Sequence, residues 1–262
     1  MKGILLNKSL RRLMILGSMM GVFAMATHAH ADDVPVYAAA GVKAPLLELA
    51  AEFEKTSGHR PALVFDTAGA TLQRFLKDPG AQFLITGDAR IRDAQKAGKL
   101  REGVVREVGA TVGGFAVPPG RAKPDIGTPE KLKAALIAAP RIVFSDPERG
   151  ATIGLHFLKV IEKLGVREQV LKKATIAKDG VETMRVILAG EADLGVTQIA
   201  EVVQADREAL VGPFPREFDL ATTYSLWYSA DAAPAVKAFA QLITGPTGRE
   251  KMRQYGLRPP SE

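Results

Sequence analysis

The side chains that could carry covalent or acid–base chemistry are few. The 262-residue chain has no cysteine and four histidines. A thiolate nucleophile, a thiolate metal site and a disulfide are therefore all excluded. His28 and His30 fall in an N-terminal stretch that reads as a leader, which leaves His59 and His156. A Ser-His-Asp site needs its histidine in a cleft. Here His59 follows a helix C-terminus and His156 lies inside a helix. Glu48 and Glu52 stand one turn apart, as expected of a solvated helix face, and no metal-ligand spacing occurs. No enzyme activity, metal or cofactor is expected. What the chain offers instead is backbone: turns of very small residues placed between strands and helices.

The first such turn is in VPVYAAAGVKAPLLELAAEFEKT, Val34–Thr56. Val34–Ala39 is an apolar run that reads as a buried strand. Ala40 and Gly41 leave the backbone open to close approach. Pro45 suits the opening turn of a helix, and Leu46, Leu49, Ala50 and Phe53 form its apolar stripe. A strand running through a tiny-residue turn into a helix N-terminus aims free N–H groups and the positive helix end at one point, where an anion can sit. The junction recurs. RPALVFD, Arg60–Asp66, leads through Thr67, Ala68, Gly69, Ala70 and Thr71 into a helix marked by Leu72, Phe75 and Leu76. RIVFS, Arg141–Ser145, leads through Asp146–Thr152 into a helix over Ile153–Leu164, with Leu155, Leu158 and Ile161 as its expected core.

These junctions need elements to hold them. Strand and helix patterns alternate β-α-β-α-β-α through Ala97, which predicts a parallel sheet flanked by helices. Val104–Ala110 and Gly114–Val117 read as two strands, with a first crossing between lobes near Gly113–Pro118. Val211–Asp219 carries Pro213 and Pro215 and reads as an extended connection. Ala221–Ser229 reads as the return crossing, and two helices close the chain. The fold class expected is α/β with two lobes, each a mostly parallel sheet with flanking helices, joined by two extended segments. Lobe I covers residues 32–114 and 221–262, and lobe II covers 115–220. In such folds ligands bind where strand C-terminal ends face helix N-termini, here in the cleft between lobes.

Residues 1–31 read as a secretory leader. Lys2, Lys8, Arg11 and Arg12 precede the apolar Leu13–Ala26, and Ala29-His30-Ala31 is a small-x-small cleavage site. Cleavage after Ala31 predicts a periplasmic protein. The whole chain carries 35 Lys+Arg and 29 Asp+Glu; removing four leader cations leaves 31 against 29, a net charge of +2. That balance, with no basic stripe interleaved with aromatics, gives no support for nucleic-acid binding.

Several stretches together resemble the periplasmic molybdate-binding proteins, solute receptors of ABC importers. They are VYAAAGVKAPLLELAAEFEKTSGHRPALVFD, TAGATLQRFLKDPGAQFLITGD, SDPERGATIGLHFLKVIEKLG, AKDGVETMRVILAGEADLGVTQ and VKAFAQLITGPTGREKMRQYGL. The resemblance implies the type II periplasmic binding fold, a monomer, a small anionic ligand and ABC permease subunits in the inner membrane as partner. Carried over residue by residue, it points to Ala40 and Gly41 after the first alanine run, to Thr67, Ala68 and Gly69 in the second turn, and to Thr152 and Ile153 after the aspartate-proline turn. It also points to Gly180 and Gln198. Where the family has two serine hydroxyls, this chain has Gly41 and Ala68 or Gly69. Where it has a tyrosine, this chain has Gln198. Losing these hydroxyls is expected to enlarge the pocket on one side and leave an anion short of donors. Among the cations near cleft-facing turns, Arg149, Lys178 and Arg185, Arg149 is suited to a bidentate pair with a planar carboxylate. An organic carboxylate is therefore the alternative to a molybdate- or tungstate-type oxyanion. A receptor that hands its closed form to a sensor protein is the alternative to an importer.

Overall fold

The computed structural model describes residues 33–260. The expected leader and its cleavage after Ala31 lie outside the described residues. From the N-terminus, β1 (Asp33–Ala39) runs through a 3-10 turn into α1 (Lys43–Ser57), followed by β2 (Arg60–Asp66), α2 (Ala68–Lys77), β3 (Phe83–Gly87) and α3 (Asp88–Lys96). The long β4 (Gly103–Ala116) leads to α4 (Pro129–Ala138), β5 (Ile142–Ser145), α5 (Thr152–Lys163), α6 (Arg167–Leu171), β6 (Ala174–Ala177), α7 (Gly180–Leu188), β7 (Leu194–Gln198) and α8 (Ile199–Ala205). β8 (Leu210–Pro213), β9 (Ala221–Ser229), α9 (Pro234–Thr244) and α10 (Pro246–Gln254) complete the chain.

The strands form one mixed sheet in the order β2-β1-β3-β9-β4-β7-β5-β6, with β8 on β4. β1 is parallel to β2 and β3, and β5 is parallel to β6 and β7. The antiparallel members are β4, β8 and β9. One correction concerns β4. The two strands expected around Gly113-Gly114 are a single strand, because those glycines sit inside it. A β-carbon on Gly113 would meet Ile153 Cδ1 at 2.6 Å, and one on Gly114 would meet the Gly212 carbonyl oxygen at 2.6 Å. Close approach of neighbours, not a turn, explains them. The crossing still falls there: β4 pairs with β9 as far as Val112 and with β7 from Gly113.

The core divides on either side of that crossing. On one side, Leu46, Leu49, Phe53, Phe83, Ile85 and Phe239 pack together. On the other, Phe115, Phe144, Ile153, Phe157, Val160 and Ile161 do. In α5 the buried face is Ile153, Phe157, Val160 and Ile161, while Leu155, expected in the core, is exposed. The region expected to be a bare connection, Val211–Asp219, contains part of β8, which Pro213 ends at the edge of the sheet.

Candidate functional site

The N-terminal ends of five helices meet at one small cavity. It is lined by Ala39, Ala40 and Gly41 before α1, by Thr67 and Ala68 at the start of α2, and by Ala151, Thr152 and Ile153 at the start of α5. Asp179 and Gly180 open α7, and Gln198 and Glu201 open α8. Ser145, Thr197 and Tyr224 complete the wall. The cavity is small, about 20 Å³. Each helix start leaves backbone N–H groups without an intrahelical acceptor and presents the positive end of its dipole. Among the described residues, no acceptor is found for the N–H groups of Ala68, Thr152, Ile153 or Gly180.

Eight of the ten residues picked out from the sequence line this cavity: Ala40, Gly41, Thr67, Ala68, Thr152, Ile153, Gly180 and Gln198. Gly69 and Arg149 do not. Gly69 N–H donates to the Gly150 carbonyl at 3.2 Å, and Ala70 N–H to the Arg149 carbonyl at 3.0 Å. The Thr67 hydroxyl donates to that same Arg149 carbonyl. The turn before α5 therefore caps the N-terminus of α2 and takes up donors that the sequence reading assigned to a ligand. Arg149 itself is turned away from the cavity. Its Nη2 reaches both carboxylate oxygens of Asp66 at 2.6 Å, and Asp66 also accepts from Arg74 Nε at 2.9 Å and from Thr67 N–H at 2.8 Å. Burial alone would raise the pKa of this carboxyl, but Arg149, the Thr67 N–H and Arg74 together hold it below the ordinary carboxylate value. Arg149 is thus a clamp joining the two sides of the cavity, not a free cation. Arg185 is likewise committed, to Glu182 and Glu191 on the surface.

Gly41 has a specific cause. A β-carbon there would lie 2.7 Å from Tyr224 Cζ and closer still to the hydroxyl. Tyr224, 3 % exposed on β9, fills the place a serine side chain would take. The expected enlargement of the pocket is therefore corrected: on this side a tyrosine hydroxyl arrives from another strand. Burial, and the nearby Glu201, raise the Tyr224 pKa, so the hydroxyl stays protonated and is available as a donor. Gln198 Nε2 donates to Thr222 Oγ1 at 2.9 Å, while its buried Oε1 has no partner among the described residues.

Two carboxyls also line the cavity. Asp179 accepts from the Glu182 N–H at 2.9 Å and so faces its own helix. Glu201 is 7 % exposed. Its Oε2 accepts from the Gln198 N–H at 3.1 Å and from the Thr197 hydroxyl. A β-carbon on Gly180 would collide with it. Burial drives the Glu201 pKa up to about 7; the Thr197 and Gln198 donors oppose that rise and the Asp179 charge adds to it. Sequence reading missed Tyr224, Glu201, Asp179, Ser145 and Thr197. Alternation in β9 could have flagged Tyr224, since Thr222, Tyr224 and Leu226 are all buried. Glu201 carries no such signal, because an acid in the first turn of a helix is ordinary.

Comparison with known proteins agrees with this architecture. Residues 34–258 match the family described as bacterial extracellular solute-binding protein, and the chain belongs to that family. It is therefore a solute receptor of the extracytoplasmic class. It is 23 % identical over 266 residues to the molybdate-binding protein ModA of Azotobacter vinelandii, covering 95 % of this chain and 97 % of the relative. It is 22 % identical over 233 residues to a Pseudomonas protein named aconitate isomerase, covering 86 % and 87 %. Among solved structures, the Azotobacter vinelandii periplasmic molybdate-binding protein superposes with a TM-score of 0.67 at 17 % identity, over 87 % of this chain and all of that one. A Clostridium perfringens substrate-binding protein with bound phosphate gives 0.66 at 10 % identity, over 87 % and 100 %. A periplasmic thiamin binding protein gives 0.67 at 16 % identity, over 88 % and 84 %. The fold is that of the type II periplasmic binding proteins.

Proposed function

We propose that this protein is the periplasmic receptor of an ABC importer and that it captures a small, compact oxyanion in the cavity at the five helix starts. One observation carries the reading. A space of about 20 Å³ is walled by unpaired peptide N–H groups and hydroxyls and, among the described residues, by no Lys or Arg, while its two carboxyls are met by protein donors, Asp179 by the Glu182 N–H and Glu201 by the Gln198 N–H and the Thr197 hydroxyl. Such a wall suits an anion small enough to be met by several of these N–H and hydroxyl donors at once. Residues 32–114 with 221–262, and residues 115–220, act as the two lobes and close about β4 and β9. Ala40, Gly41, Thr67 and Ala68 lie on one side, and Thr152, Ile153, Gly180 and Gln198 on the other. Closure is favoured because only the closed form presents both donor sets to the guest. The closed receptor, as a monomer, hands its anion to permease subunits.

A thermal-shift series with molybdate, tungstate, sulfate and phosphate, set against citrate, aconitate and malonate, tests this. A ligand at one hundred times its Kd adds about 2.7 kcal/mol, on the order of 5–10 °C for a chain of this size. Stabilisation by the tetrahedral oxyanions alone supports the reading, and stabilisation by the carboxylates alone refutes it.

One observation favours a second reading. Glu201 places a carboxyl that titrates at about 7 in the cavity, where a general acid or base would stand, and one relative is named an isomerase of aconitate. On that reading the guest is a tricarboxylate and Glu201 moves a proton on it. Proton NMR of cis-aconitate with catalytic amounts of protein decides: formation of the trans isomer above the background rate establishes turnover, and its absence over many equivalents removes this reading.

A further inference from the structure

Resting on the oxyanion reading, we propose that Glu201 makes the cavity a one-proton site, in which the bound anion and the Glu201 carboxyl share a single hydrogen across one contact. The class of guest follows: an oxyanion that still carries a proton at neutral pH, such as hydrogen phosphate, in preference to fully ionised sulfate or molybdate. Geometry sets this up. Glu201 lies in the cavity wall, and its Oε2 is tied to the Gln198 N–H and the Thr197 hydroxyl. Oε1 has no partner among the described residues. The missing side chain of Gly180 lets the carboxyl sit against the start of α7, beside the free Gly180 N–H that the anion would use. A carboxylate and a dianion cannot occupy that contact together without a proton between them.

Among the described residues, no ion pair reaches the Glu201 carboxyl to supply the missing positive charge. From α7 the facing groups are Asp179, whose charge opposes ionisation, and Arg185, already paired with Glu182 and Glu191. From β9 it is Tyr224, protonated and neutral. From α1 it is Lys43, which with Arg185 borders the open groove on the outer side of Glu201. From α3, Arg90 lies behind Tyr224 and donates to the Gly150 carbonyl at 2.9 Å. Below pH 7 the carboxyl supplies the shared proton. Above it, hydrogen phosphate brings its own, whereas sulfate or molybdate must draw one from solution. One linked proton changes affinity tenfold per pH unit.

Isothermal titration of the mature protein with inorganic phosphate, sulfate and molybdate, between pH 6 and 8.5 in two buffers of different ionisation enthalpy, tests this. The expected result is a phosphate-to-sulfate affinity ratio that rises about tenfold per unit above pH 7. Sulfate should take up close to one proton at pH 8, and phosphate close to none. In Glu201→Gln both slopes should vanish. A constant ratio with no proton uptake by the wild-type protein overturns the proposal while leaving the oxyanion reading standing. If none of the three anions binds at any pH, both fall. Should the variant fail to fold, the wild-type proton count alone decides.

Discussion

Replacing Arg149 by methionine removes the clamp but keeps most of the aliphatic stem, and the outcome can be worked from the contacts. Asp66 is fully buried, with a side-chain exposure of 1 %, whereas Arg149 is 34 % exposed. Removing one partner of a fully buried ion pair costs roughly 3–5 kcal/mol. Two features reduce that figure here. Water reaches the Arg149 guanidinium, and Arg74 and the Thr67 N–H continue to serve Asp66. A loss of about 1–2 kcal/mol is expected. The pH dependence has a definite sign. Asp66 titrates below the ordinary 3.8 in the fold, so its contribution is present above that value and is lost as pH falls through the lower, folded one. Urea unfolding of wild type and Arg149→Met at pH 7 should differ by about 1–2 kcal/mol, and the gap should narrow at pH 3. Because the clamp spans the cavity, affinity for the anion should also fall several-fold. Equal stabilities at pH 7, or a gap unchanged at pH 3, would refute the role given to this pair.

Three further outcomes are expected. Gly41→Ala should cost about 1–3 kcal/mol by overpacking against Tyr224, and Tyr224→Phe should recover only part of it because Cζ would still lie 2.7 Å away; thermal melts of the single and double variants check this. Glu201 titrates at about 7 against an ordinary 4.5, so its stabilising share is complete below about 4.5 and is lost as pH rises through 7. Wild type should therefore lose up to about 3 kcal/mol relative to Glu201→Gln across that window, with level curves above it, as read by denaturant titrations. Gln198→Ala should weaken anion binding several-fold while changing stability by about 1 kcal/mol or less, since it removes one bond to Thr222 and one unpartnered oxygen.

The strand–turn–helix junctions were legible because their signal is local. Alanine and glycine between an apolar run and an amphipathic stripe have few other uses, and these turns supply six of the cavity's residues: Ala40, Gly41, Thr67, Ala68, Ala151 and Thr152. What stayed hidden depends on pairs distant in the chain. Arg149 looked free because its partner, Asp66, lies 83 positions earlier. Gly41 looked like a lost hydroxyl because Tyr224, which fills the space, comes from β9, the last strand along the chain. Thr67 and Gly69 looked like ligand donors because nothing in their own turn reveals that the Arg149–Gly150 backbone caps them. Glu201 looked like a helix-start acid; only burial beside Gly180 and Asp179 changes its charge state.

Diffraction from crystals grown with tungstate, at a wavelength where tungsten scatters anomalously, tests the central claim most directly. The account predicts one strong anomalous peak inside the cavity, with its oxygens within hydrogen-bonding distance of the N–H groups of Ala68, Thr152, Ile153 and Gly180. A peak seated outside that ring of helix starts, or a cavity that stays empty while tungstate binds in solution, would contradict it.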